Sequence, residues 1–196
     1  MTRRATPDHY ARKAKSEAYA SRAVYKLQEI DRKYRLFRPG ARVLDLGCAP
    51  GSWLQYIAPR VLPGGLVVGV DRTPVRLALP PHVTVITMDL ADLSREAVRA
   101  LSPQFEVVVS DLAPATSGVK DVDHQRSLTL ARLSWDWARD FLPAGGHYLV
   151  KVFEGPDFPD FVSEVRPAFA RIQIVKPAGS RRESREIYLL GVNLKQ

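Results

Sequence analysis

Short apolar runs separated by polar, helix-compatible stretches set the pattern of this chain. Residues 42–46 (Arg-Val-Leu-Asp-Leu) read as a buried strand running into a glycine loop. Further strands are predicted at 66–70, 83–87, 105–110, 146–152, 171–176 and 185–192. Between them, 52–60, 93–101, 123–141 and 157–169 carry helical spacing, the long one stopped by Pro143 and Gly145-Gly146. Upstream, Tyr19, Ala23, Leu27 and Ile30 fall on one face of a predicted helix over 17–34, broken at Arg38-Pro39-Gly40. Residues 1–16 are polar and are expected to be mobile when free. Strands alternating with helices predict an α/β domain with a largely parallel sheet, and at 196 residues one domain over 1–196 is the simplest division.

A parallel sheet collects ligands at the carboxyl ends of its strands. That places Gly47–Trp53, Asp71, Asp89, Asp111 and Lys151 on one rim.

Charge sharpens the picture. Residues 1–42 hold twelve Lys/Arg against four Asp/Glu, which is the whole net +8. A second basic knot gathers Arg171, Lys176, Arg181, Arg182 and Arg185 with only Glu183 among them. Basic clusters flanking a neutral body fit a polyanion footprint, although a solvated face with a basic tail fits too. One cysteine leaves no internal disulfide framework, so a reducing, cytoplasmic setting is expected. No stretch approaches the roughly 20 apolar residues of a spanning helix, and the N-terminus lacks the apolar core of a secretory signal. Its arginines resemble those of a transit peptide, against which Asp8 and Glu17 argue.

The chemistry starts at Asp45-Leu46-Gly47-Cys48-Ala49-Pro50-Gly51-Ser52-Trp53. Glycines between strand and helix let a ligand approach the backbone. Asp71, at the end of the next strand, is placed to accept from two ribose hydroxyls, which suits an adenosine-containing cofactor. The spacing Gly47-x-x-x-Gly51, with bulky Trp53 at the helix start, leaves little room for a dinucleotide pyrophosphate. S-adenosylmethionine has no phosphate and tolerates it. Asp89 is placed to accept from an adenine amino group, or it is an ordinary capping residue. Cys48 reads as a small packed residue rather than a nucleophile. His9, His82, His124 and His147 share no ligand spacing, so no metal is expected.

Five segments, SRAVYKLQEID, VLDLGCAPGSW, VVSDLAPATSG, HYLVKVF and RESREIYLL, carry a resemblance over about 10–192. In them the chain resembles the FtsJ/RrmJ family of ribose 2'-O-methyltransferases, known for large-subunit ribosomal RNA. The resemblance implies a Rossmann-like class I S-adenosylmethionine-dependent fold: a mixed seven-stranded sheet with helices on both faces and the last strand antiparallel. It implies a catalytic tetrad at Lys26, Asp111, Lys151 and Glu186, and cofactor contacts at Gly47, Gly51, Trp53, Asp71, Asp89 and Asp111. It also implies methyl transfer to a uridine 2'-hydroxyl of ribosomal RNA, by a monomer without a membrane partner. Transfer RNA or another RNA is the alternative substrate. Ser52 departs from the glycine common in that family. Asp111-Leu112-Ala113-Pro114 lacks the paired prolines and aromatic of amino-methylating enzymes.

Taken singly, the tetrad residues have plainer readings. Lys26 sits on a basic helix and fits a solvent-facing lysine, and Glu186 fits a cross-strand partner of an arginine. Lys151, between Val150 and Val152, is costly to bury without a task, so it is the expected proton-handling group, with Asp111 orienting it. Two further classes remain: a nicotinamide-dependent oxidoreductase, opposed by the glycine spacing, and a non-catalytic RNA-binding module, opposed by the intact tetrad.

Overall fold

The computed structural model describes residues 9–178 and 184–196. Its centre is one seven-stranded sheet in the order β3-β2-β1-β4-β5-β7-β6. The strands are β1 (Arg42–Leu46), β2 (Leu66–Asp71), β3 (Val83–Thr87), β4 (Val107–Ser110), β5 (His147–Phe153), β6 (Phe169–Val175) and β7 (Glu186–Leu194). β1 through β5 run parallel, while β7 inserts antiparallel between β5 and β6.

Side-chain alternation along the strands divides the core into two layers. Leu44, Leu46, Val108, Val150 and Val152 face α4 (Arg95–Arg99), α5 (Lys120–Phe141) and α6 (Phe158–Val165). Val43, Val107, Val109 and Leu149 face α1 (His9–Ser16), α2 (Val24–Tyr34) and α3 (Ser52–Ile57). Lys151 continues the second series, so it projects toward the layer that contains Lys26. Trp135 and Trp137 of α5 are core residues, 7% and 0% exposed.

The N-terminal reading needs correction. The predicted helix over 17–34 begins only at Val24, because Ala18 adopts a left-handed backbone (φ 57°) that ends α1. Residues 18–23 instead lie across α3, whose side chains hold them. Gln55 accepts from Ala20 N–H at 2.8 Å and donates to Ala18 O at 3.0 Å. The Ser21 and Ser52 hydroxyls meet at 2.8 Å, so the family departure at Ser52 supplies a tie. Part of the segment expected to be mobile is helix α1, with Ala14 buried and the Tyr10 ring 5.4 Å from Tyr25. The remainder, residues 1–8, lies outside the described residues, as do Arg181, Arg182 and Glu183 of the second basic knot. Arg185 of that knot is engaged, donating to the carbonyls of Glu154 and Lys120. No helix among the described residues is long and apolar enough to cross a membrane.

Candidate active site

The strand order reverses between β1 and β4, and the crevice there opens into a cavity of about 980 Å³. Gly47, Asp71, Asp89 and Asp111 all line it, with Arg126 of α5 opposite. Gly47 has φ +84°, and a Cβ there would lie 2.9 Å from the Leu112 amide, so only glycine fits between the two loops.

The loop amides decide what the cavity can hold. Gly47 and Cys48 N–H both donate to Val70 O, at 2.8 and 3.2 Å, and Ala49 N–H donates to Asp71 Oδ2 at 2.9 Å. None of the three is left to cradle a pyrophosphate. The carboxylates of Asp71, Asp89 and Asp111 instead suit ribose hydroxyls, an amino group and a cationic centre. This donor set fits S-adenosylmethionine and does not fit a dinucleotide.

Gly51 and Trp53 are placed differently from the other implied cofactor contacts, outside the cavity lining. Gly51 caps α3 with φ 108°, and a Cβ there would meet Leu77 at 2.5 Å. The Trp53 indole is 3% exposed and turned to the opposite side, with Nε1 donating to Ala23 O at 3.1 Å and its ring 6.2 Å from Tyr188. Cys48 packs over Gly69, where a Cβ would come within 2.9 Å of Sγ, and burial pushes its thiol far up. It is a packing residue.

The tetrad assembles as two ion pairs. Lys26 Nζ donates to Glu186 Oε2 at 2.7 Å. Lys151 Nζ donates to Asp111 O at 2.7 Å and lies 3.0 Å from Asp111 Oδ1. Both lysines are 5% exposed, so Lys26 is not the solvent-facing residue that its basic helix allowed, and Lys151 is buried as its apolar strand suggested. Burial works to raise the Glu186 carboxyl, but Lys26 beside it, with Lys151 and Ser184, holds it below the usual carboxylate range. The pair therefore stabilises the fold above the ordinary glutamate value and loses that contribution as pH falls through the lowered one.

Two residues of this centre carried no assigned role in the sequence. Tyr188 donates its hydroxyl to Asp111 Oδ1 at 3.0 Å from a fully buried position. It is the cross-strand partner of Lys151, and its place two positions beyond Glu186 on β7 was the available signal. Asp45, in the glycine motif itself, is 0% exposed, and neither carboxyl oxygen has a hydrogen-bond partner among the described residues. Burial, then the charges of Asp111 and Asp71, push its carboxyl well above the ordinary range, so it favours the neutral acid.

Comparison with known proteins agrees with this geometry. The model of the FtsJ-like methyltransferase family matches residues 19–194. "Ribosomal RNA large subunit methyltransferase E" of Desulfosudis oleivorans is 45% identical over 193 residues, 98% of this chain and 93% of that protein. The protein of the same name from Bdellovibrio bacteriovorus is 44% identical over 191 residues, 96% of this chain and 97% of that one. Among solved structures, a ribosomal RNA methyltransferase from Plasmodium falciparum superimposes with a TM-score of 0.81 at 28% identity, covering 90% of this chain and 98% of that one. A carboxylate-lined cavity at the sheet's switch point, two buried lysine–carboxylate pairs at its edge and a family match across nearly all the described residues lead to one assignment: the chain belongs to the FtsJ-like methyltransferase family.

Proposed function

We propose that this chain transfers a methyl group from S-adenosylmethionine to a ribose 2'-hydroxyl of RNA, in large-subunit ribosomal RNA and at a uridine. The observation that carries the reading is the pairing of two buried lysines with Asp111 and Glu186 beside the cavity. The relatives' names supply the RNA class.

Asp71 would hold the ribose of the cofactor, Asp89 the adenine amino group and Asp111 the edge next to the reacting centre. The bound cofactor supplies a methyl already made electrophilic by its sulfonium, so the protein has to align a hydroxyl and handle one proton. Lys26 and Glu186, held together, offer a donor and an acceptor to the incoming hydroxyl. Once its ammonium has given a proton to solvent, the neutral Lys151 amine takes the proton that the hydroxyl releases, and Asp111 and Tyr188 fix its position. Alignment alone is worth several kcal/mol. The direct test is mapping of 2'-O-methyl groups in large-subunit RNA from cells with and without the protein. Unchanged maps would overturn the substrate assignment.

Two expectations follow for residues outside the tetrad. Cys48→Ala removes one buried sulfur, with an expected stability loss of about 1–2 kcal/mol. Its methyl transfer should stay within a few-fold of the parent in a tritium-transfer assay, and abolition would instead place the thiol in the reaction. Neutralising Arg12, Lys13 and Lys15 of α1 should weaken RNA binding and reduce its salt slope by about one unit per lost phosphate contact. Cofactor affinity should not move. An unchanged salt slope would make α1 a solubilising surface.

A further inference from the structure

A second cleft lies at the other end of the strands. It measures about 290 Å³ and is walled by Arg35, Arg38, Glu106, the Pro143–Gly146 turn, His147 and Asn193. From His147 to Lys151 strand β5 climbs about 13 Å, so this cleft and the catalytic rim are on opposite edges of the sheet.

The polar groups of the cleft are unevenly committed. Glu106 is fully engaged: Oε1 accepts from Arg42 Nη2 at 2.6 Å and Oε2 from the Arg42 amide at 2.7 Å. Arg35 and Arg38 are exposed, and neither guanidinium has an ion-pair or hydrogen-bond partner among the described residues. His147 Nδ1 accepts from Asn193 N–H at 3.2 Å, so the neutral ring carries its proton on Nε2. Burial, then the Arg38 charge, hold this imidazole below its usual range. The side-chain groups left without a partner among the described residues are two guanidinium groups, one imidazole N–H and the Asn193 carboxamide, so donors far outnumber the one acceptor.

The backbone adds an independent sign. Arg35 closes α2 at φ 54° and ψ 56°, the left-handed position that glycine normally fills. A non-glycine residue there costs about 1 kcal/mol, and residues kept at such a cost cluster at ligand-binding positions.

We propose that this cleft binds a backbone phosphate of the RNA substrate through Arg35, Arg38 and the Nε2–H of His147. Two guanidinium forks and a neutral N–H donor match the non-bridging oxygens of a phosphodiester, and no free carboxylate opposes it. Arg32 and Lys33, in the preceding turn of α2, extend the positive surface leading to it. The site would grip RNA away from the reacting nucleotide. It rests on the reading that the substrate is RNA.

The test uses the intact chain and the variant Arg35→Gly/Arg38→Gln. Glycine relieves the left-handed strain at residue 35, so loss of fold does not confound the result. The His147 imidazole signals are followed by NMR during titration with inorganic phosphate and, separately, with a single-stranded RNA oligonucleotide. Steady-state methylation of large-subunit RNA is measured alongside. In the parent both anions should move the His147 signals, and in the variant neither should. The variant's KM for RNA should rise roughly three- to tenfold and its salt slope fall by about one to two units, with kcat and cofactor affinity within twofold. His147 signals that ignore both anions overturn the site. Signals that respond to inorganic phosphate alone, with an unchanged KM for RNA, overturn the RNA source and leave a site for a free anion. A parent that methylates no RNA while both anions still move His147 supports the phosphate site and refutes the reading of the substrate.

Discussion

Lys151→Ala is expected to lower single-turnover methyl transfer at saturating cofactor by at least about a hundredfold, the lower range for loss of an acid–base group. The fold should survive, for two structural reasons. Asp111 is 18% exposed at the cavity mouth, so solvent reaches the carboxylate once its ammonium partner is gone. Tyr188 still donates to Asp111 Oδ1. Cofactor affinity should change little, because Lys151 is not among the residues lining the cavity. Lys151→Arg should fail as well: a guanidinium keeps the charge but does not release a proton in a protein, and its planar fork does not reproduce the two contacts made to Asp111. Near-normal turnover by the arginine variant would reduce Lys151 to a positive charge near the RNA. Near-normal turnover by the alanine variant would remove it from the chemistry.

Asp71→Ala should weaken S-adenosylmethionine binding by roughly 1.5–3 kcal/mol, about ten- to 150-fold, the range for a hydrogen bond to a charged group. Asp71 also accepts from the amides of Ala49 and Thr73, at 2.9 and 2.8 Å, so alanine loosens the loop together with the contact. Asp71→Asn keeps one carbonyl acceptor and should fall between parent and alanine. Isothermal calorimetry separates the cases. Equal affinities for all three would take Asp71 out of the cofactor site.

The strand-end residues were legible because the constraint that places them is local: a short apolar run, a glycine or an acid, then a helix. Asp71, Asp89, Asp111 and Gly47 reach one cavity for that reason. That Lys26, Asp111, Lys151 and Glu186 belong together was legible only through the ordered motifs, since no spacing rule links residues so far apart. Side-chain direction was not legible. Trp53, at the start of a helix beside a ligand loop, had two ways to point. Its indole N–H found the Ala23 carbonyl, at the start of α2. That start was hidden as well. Ala18 carries a positive φ with no glycine to announce it, and tertiary ties from Gln55 and Ser52 hold the segment that follows. Asp45 reads as an ordinary motif acid until its burial without a partner is seen.

Lys26 and Glu186 stand 160 positions apart in the chain. At about 5–20 residues per second, ribosomes need roughly 8–30 s to pass from one to the other. Strands β1 to β4 and their helices, which frame the cofactor cavity, are complete well before that. A nascent chain can therefore acquire the proposed cofactor pocket while the proposed catalytic centre is still unmade, and Lys26 waits for its counter-ion until β7 slots between β5 and β6. Premature termination between residues 142 and 185 should yield a product that retains the strands framing the pocket and transfers no methyl group.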